Sequence, residues 1–441
     1  MDWKRSMLAL CAATAVLATV AQAETVGVRF YGGPDLTYVS RDVPPGQSPV
    51  EAAVRSLLAG PTAEEQGRGL VTAIPAGTTL VSMEVAGDTI TIDLSTEVRT
   101  GLDEERLWLI FNQFRTTLGD FPEFLSIRLT HQGQLLSTYL DPAPHIRTAP
   151  PPTDVVAPQH GTFATGLSGR VITIGPSHGR IWTGSTWAWL RSDPCGFGEA
   201  VLEDTNSIRL CQFLYQYLTQ DGAIVNVPRE LNESNCCHSG SGLAWWKMAA
   251  RYWLQHNGLP ASVWDTSTSD TNDDIRARPL FADYVGSHIY ISHHTNAGGG
   301  TGTETFRDTA MEHPAHVTNS LNLANAVQNS VVSTIREMVD ANWANRGVKD
   351  AAGGSGEIRI PNQPAILIEL AFHDHCTRDA VYLQDNFFRS VAEWAIYKGV
   401  CQYFGVTPTW DRYSCEFVSD TIPTTMTAGQ TYNVSVTFRN R

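Results

Sequence analysis

The chain has no run of clustered lysine and arginine, and over its 441 residues the formal net charge is -14. Phosphate backbones are gripped by clustered cations, so this pattern argues against nucleic acid as a partner. Also missing is an apolar run of about 20 residues, the length a membrane-spanning helix needs. The longest such stretch, Met7 to Val20, falls short of it. No HExxH or similar compact spacing is present, so no metal site can be read from a single segment. Cysteine is sparse, at 8 residues.

What is present begins with a leader. Residues 1–23 carry Lys4 and Arg5, then the apolar run, then Ala21-Gln22-Ala23 as a small-residue cleavage site. This order reads as a secretory signal, with a mature chain from Glu24 and a secreted, periplasmic or envelope location, and no membrane span after cleavage. A lipid anchor at Cys11 is disfavoured by the large Leu10. Export permits disulfides and removes Cys11, leaving an odd number of cysteines. Cys236 and Cys237 are adjacent, and a bridge between neighbours is strained, so each is expected to pair elsewhere. Cys211 and Cys401 read equally well as small core residues.

The hydrophobic fraction of 42% is ample for packed cores, and the length suggests two or more domains. Residues 24–140 read as a small α+β unit: strand VGVRFYG, helix PVEAAVRSLLAG, a hairpin turning at Gly87-Asp88, helix GLDEERLWLIFNQFRTTLG and strand FLSIRLTHQGQ. No set of nucleophile, base and orienting group occurs in it. Residues 141–168, rich in Pro, Thr and Ala, read as a semi-extended linker. From 169 to 406 strands and helices alternate, the pattern of an α/β domain with a mostly parallel twisted sheet flanked by helices. Within it, 231–272 reads as an insertion, with a helix predicted over LAWWKMAARYWLQHNG; Trp245 and Trp246 offer either core packing or a sugar platform, core being the commoner use. Residues 407–441 alternate like two strands and resemble the opening of a truncated β-sandwich.

Four residues from separate segments carry the chemistry. His178 in VITIGPSHGR, Glu203 in VLEDTNS and His294 in YISHHTNA have the ligand types of a zinc site that keeps an open position for water. Glu369 in PAILIELAF is a carboxylate able to move that water's proton. His178, His294 and Glu369 fall at the carboxyl ends of predicted strands, where sites gather in sheets of this kind.

At LLAGPTAEEQGRGLVTAIPAGTTL, with Gly60-Pro61-Thr62, Ala73-Ile74-Pro75 and Asp93-Leu94-Ser95, the first unit resembles a GerMN domain, the sporulation and spore-germination module. That resemblance implies a non-catalytic accessory, read here as a spacer holding the enzyme off the membrane or wall. The segment from Val171 to Phe404 resembles zinc-dependent N-acetylmuramoyl-L-alanine amidases of the Amidase_3 type, through ITIGPSHG, a Glu opening the next helix, ISHHTNA, GTETF, NRGVK and PAILIELAF in order.

The resemblance implies zinc held by His178, Glu203 and His294, with Glu369 as general base and acid, acting on peptidoglycan at the bond between N-acetylmuramic acid and L-alanine. Arg278, Asn296 and Arg346 become candidate substrate contacts, and a regulatory protein partner is admitted. Where the family usually has Asp and Gly, this chain has Gly175 and Ser177. Glu203 is followed by Asp204-Thr205, which leaves Glu199 as the fallback ligand. His293 is expected to face away from the site and His288 to be packed, His373 and His375 to face solvent, Glu304 to support the wall, and Asn345 to fix a loop. Another zinc peptidase on wall peptides, or a non-catalytic wall-binding protein, are the competing readings.

Overall fold

A ten-stranded sheet runs through a computed structural model that describes residues 24–144, 146, 166–267, 269–410 and 415–440. The expected leader and residues 147–165 of the linker lie outside them. In spatial order the sheet runs Ile224–Asn226, Val171–Pro176, Ile289–Asn296, Ala365–Phe372, Thr303–Arg307, Asn345–Asp350, Ser126–His131, Thr89–Leu94 and Leu80–Ala86, with Gln134–Leu135 beside Ser126–His131. Pairing is parallel except at Thr303–Arg307 against Ala365–Phe372, at the Leu80–Leu94 hairpin and at Gln134–Leu135. The mostly parallel α/β sheet expected of the second half is therefore present, and it continues into the first half: Asp350 pairs with Ser126. The two regions share one sheet.

Side-chain alternation along the central strands decides what each face meets. Ile366, Ile368 and Leu370 join Ile289 and Ile291 in one core, closed by the helices Glu203–Gln220, Val317–Met338 and Asn386–Phe404. Ala365 and Leu367, with Tyr290 and Phe306, point the other way. They meet the helix Glu104–Leu118 of the first region, whose Leu107, Ile110, Phe111, Phe114 and Leu118 form a stripe at helical spacing. Burying each of the larger side chains contributes roughly 1.5–3 kcal/mol. The hydrophobic stripe of the first region is thus covered by the sheet of the second region itself.

Most predicted elements form within a few residues of their expected bounds. The helix expected over 243–258 is broken: a short turn at Trp245–Lys247 is followed by extended Met248 and Ala249, then the helix Ala250–His256. The backbone there is spent elsewhere, since Arg180 donates to Lys247 O at 2.7 Å and Ala249 donates to Arg180 O at 3.1 Å. Trp245 and Trp246 are buried, as the core reading expected. Elements that were not anticipated include the strands Asp35–Asp42, Thr303–Arg307 and Asn345–Asp350 and the helices Asp270–Tyr284 and Asp379–Gln384. Cys195 and Cys376 form a disulfide, and Cys211 and Cys401 are buried thiols. Cys236 and Cys237 are set against each other and, contrary to expectation, neither pairs with Cys195, Cys376, Cys211 or Cys401. Residues Cys415–Asp420 and Val436–Asn440 pair as the expected antiparallel strands.

Candidate active site

His178 follows the strand Val171–Pro176 in a turn with φ of 53°, a left-handed conformation costly for a residue with a side chain. The turn is held from outside. Buried Arg229 donates to the carbonyls of Ser177, Asp204, Trp246 and Met248, and Asp204 accepts from Gly179 N at 2.9 Å. The unusual glycine at 175 has a packing reason, for a Cβ there would lie 2.5 Å from Tyr290 Oη.

Glu203 opens the helix Glu203–Gln220, and its Oε1 lies 3.4 Å from His178 Nε2 and 2.9 Å from His294 Nδ1. Its Oε2 accepts from Arg191 Nε at 3.1 Å. Donor atoms of His178, Glu203 and His294 all lie within 4.8 Å of one another, and all three side chains are buried. The fallback Glu199 instead pairs with Lys247 near the surface. His294 faces the site because it shares a strand face with Tyr290 and Ser292. His293 points away and pairs with buried Glu393 at 2.8 Å, as the alternation predicted.

The neighbouring strand sets Glu369 directly beside His294, and Glu304 lies beside Glu369 on its other flank. One oxygen of Glu369 accepts from Arg115 Nη2 at 3.0 Å, while Oε2 is buried without a hydrogen-bond partner. Burial pushes the Glu369 carboxyl up to about 7, against the pull of Arg115 and His294.

Whether these residues suit a divalent cation can be tested on their free atoms. His178 Nε2 is buried and makes no hydrogen bond, with only Glu203 Oε1 near it at 3.4 Å. Burial, then Arg191, pushes this imidazole down to about 3, so it is neutral and available as a donor. His294 is oriented from behind: its Nε2 lies 3.1 Å from Glu357 Oε1, which also forms an ion pair with Arg278 Nη1 at 3.0 Å. Burial alone would lower His294, but Glu357 and Glu203 outweigh it and raise it to about 9, so in the absence of a cation both ring nitrogens carry protons. A divalent ion would displace the proton on Nδ1, while Glu357 keeps the one on Nε2, the arrangement that metal-binding histidines use. Glu203 is held well below the usual carboxylate range, since His178, His294 and Arg191 overcome its burial. Two imidazoles and an ionised carboxylate around a shared space fit one small divalent ion.

The three candidate substrate contacts separate. Arg278 is fully buried between Asp274 Oδ2, at 3.0 Å, and Glu357, so it supports His294 from behind and presents nothing to the cleft. Asn296 lines the cleft and donates to Glu304 at 2.6 Å. Arg346 is part-exposed beside Gly298–Gly300 and donates to Glu304 at 3.0 Å. Glu304 lies in the wall as expected. Contrary to expectation His373 is 1% exposed; it meets Thr295 Oγ1 at 3.0 Å and lines the cleft, because the strand carrying Glu369 runs into it before turning. His375 is half-buried, Asn345 accepts from Gln328 and Gly347 N, and His288, though exposed, accepts from Val171 N.

Sequence reasoning missed the groups that come from the first region. A narrow cleft above the cluster is lined by Asp35, Trp108, Asn112 and Arg115 as well as by Glu203, His294 and Glu369. None of the described residues of 231–272 lines it. It also missed Arg191 and Glu357, which no short motif marks.

Fold and donors together define an α/β enzyme with a candidate metal centre beside a buried carboxylate. Residues 245–402 match the Amidase_3 family, described as N-acetylmuramoyl-L-alanine amidase, and residues 12–137 match the Germane family, described as sporulation and spore germination. The chain thus joins a segment that matches the Germane family to one that matches Amidase_3, and its enzyme class is that of N-acetylmuramoyl-L-alanine amidases. His294 and Glu369 fall inside the match; His178 and Glu203 precede it.

Solved structures similar over 54% of this chain include an N-acetylmuramoyl-L-alanine amidase from Clostridium difficile 630, at 17% identity, 97% of that chain and TM-score 0.34. The CwlD amidase from Clostridioides difficile in complex with the GerS lipoprotein aligns over the same share at 18% identity, 98% of that chain and TM-score 0.36. The apo form of Ami1 from Mycobacterium abscessus does so at 14% identity, 100% of that chain and TM-score 0.37. No curated protein matches the chain.

Proposed function

We propose that the protein hydrolyses the amide bond between N-acetylmuramic acid and L-alanine in peptidoglycan, with zinc held by His178, Glu203 and His294 and with Glu369 as general base and acid. The observation that carries this reading is the convergence of the three donors within 4.8 Å of one another, next to a carboxylate with an unpartnered oxygen, in a chain with an Amidase_3 region.

Zinc bound there would lower the pKa of a bound water to about 7 and polarise the scissile carbonyl. Glu369 Oε2 takes a proton from the attacking water, and the resulting hydroxide adds to the lactyl carbonyl carbon. As the C–N bond breaks, protonated Glu369 returns the proton to the amine of L-alanine, which leaves with the stem peptide. Asn296 and Arg346 line the wall along which that peptide would lie.

A substrate of this kind places the enzyme in the cell envelope or outside the cell, in keeping with the leader read at residues 1–23. No helix among the described residues is long and apolar enough to cross a membrane. Digestion of purified peptidoglycan tests the activity. New free amines on L-alanine with intact glycan strands are expected, and release of D-alanine instead would assign the protein to the carboxypeptidases.

A further inference from the structure

We propose that Arg115, supplied by the Germane region, is a positioning residue of the amidase site: it holds one oxygen of Glu369 and so leaves the other free to accept a proton. The proposal rests on the role given to Glu369 above. Arg115 sits in the last turn of the helix Glu104–Leu118, and its side chain is 8% exposed. Nη2 donates to Glu369 Oε1 at 3.0 Å and to Asn296 Oδ1 at 3.3 Å, and Nη1 donates to Glu304 Oε1 at 3.0 Å. The guanidinium carbon lies 5.5 Å from the Trp108 ring centre and 5.2 Å from that of Phe306, one ring from each region. A planar fork fixed between two rings, with its donors shared among three acceptors, leaves a carboxylate little freedom to rotate.

The two oxygens of Glu369 are thereby made unequal. Oε1 is clamped; Oε2 is buried with no partner. A general base needs this asymmetry, since an oxygen already engaged by a cation is a poor acceptor for the proton of a water.

Arg115 is not needed to dock the two regions. Glu104 already pairs with Arg276 at 3.4 Å and with Arg359 at 2.5 Å, Asp103 accepts from Asn272 at 3.0 Å, and the Leu107, Phe111 and Phe114 stripe shares its core with the sheet. The cation goes instead to the carboxylate assigned the proton transfer. On this account the Germane region completes the active site.

The test uses the full chain with Arg115→Met and Arg115→Lys, measuring turnover and KM on peptidoglycan fragments, zinc content, melting temperature and crystal structures of parent and variants. Displacing a catalytic group by about 1 Å costs about 10²-fold. We expect Arg115→Met to lose about that factor in kcat with KM and zinc content unchanged, Arg115→Lys to recover part of it, and the Glu369 carboxylate to be rotated or disordered in the Met variant. Turnover equal to or faster than the parent's, or a loss confined to KM, would overturn the proposal. A parent that does not cleave the muramoyl-alanine bond refutes the proposed function instead, and the crystal structures then decide the positioning role: a Glu369 carboxylate unmoved without Arg115 would end it. Should Arg115→Met not fold, the Lys variant takes the same readouts.

Discussion

Glu357 stands behind His294, and its replacement tests whether the metal centre is organised by charge. In the parent its Oε1 lies 3.0 Å from Arg278 Nη1 and 3.1 Å from His294 Nε2, and its Oε2 accepts from the Ser292 hydroxyl. Glu357→Gln keeps the shape but removes the negative charge, so His294 becomes a weaker donor at Nδ1 and its ring orientation is less firmly held. Loss of such a supporting carboxylate typically costs 10–100-fold in metal affinity, which is about 1.4–2.7 kcal/mol.

The fold should survive the change. Arg278 keeps Asp274 Oδ2 at 3.0 Å, so a destabilisation of roughly 1–3 kcal/mol is expected from its lost partner, within the stability of an ordinary domain. The assay is zinc titration against a competing chromophoric chelator, with a melting curve on the same samples. A variant that binds zinc as tightly as the parent would show that Glu357 merely neutralises Arg278, and the supporting role would fall.

Glu369→Gln should reduce turnover on peptidoglycan by about 10²–10⁴-fold while zinc content stays that of the parent, and undiminished clearing would remove Glu369 as the base. Phe114→Ala opens a hole in the core shared by the Germane region and the sheet, so a loss of about 3–5 kcal/mol in one common transition is expected; two separated calorimetric transitions would contradict the shared core. Burial and Asp350 raise buried Asp308 to about 7, whereas an unfolded Asp titrates near 3.9. The folded state therefore holds the proton more tightly, and the parent should lose stability as pH rises from about 4 to about 7. Asp308→Asn should be flatter over that window in urea melts, and a pH dependence unchanged from the parent's would refute the assignment.

The parts of the fold legible in the sequence are those where one periodicity governs. Ala365–Phe372 and Val171–Pro176 are apolar runs bounded by turn residues, and Glu104–Leu118 shows its stripe plainly. The helix Asp270–Tyr284 was hidden because its buried positions include Asp273, Arg276 and Arg278, charges paired by partners distant in sequence, and because Pro279 lies within it. The break at Met248 was hidden for a similar reason, since the bridge to Arg180 is nonlocal.

At the site, His178, Glu203, His294 and Glu369 sit in segments with a recognisable order. Arg115 could not be found that way. It is one of two cations on an ordinary amphipathic helix, the other being Arg106, and its role depends on a sheet joined across residues 126 and 350. Arg278 was legible as a residue but read as a substrate contact, because Asp274 one turn back is local while Glu357, which closes its other side, is distant in sequence.

Anomalous diffraction at the zinc edge, on crystals of the purified full chain, addresses the central claim most directly. The account predicts one strong peak within bonding distance of His178 Nε2, a Glu203 carboxylate oxygen and His294 Nδ1, adjacent to the free oxygen of Glu369. A zinc-loaded protein whose peak lies on other residues, or whose three donors point apart, would contradict it.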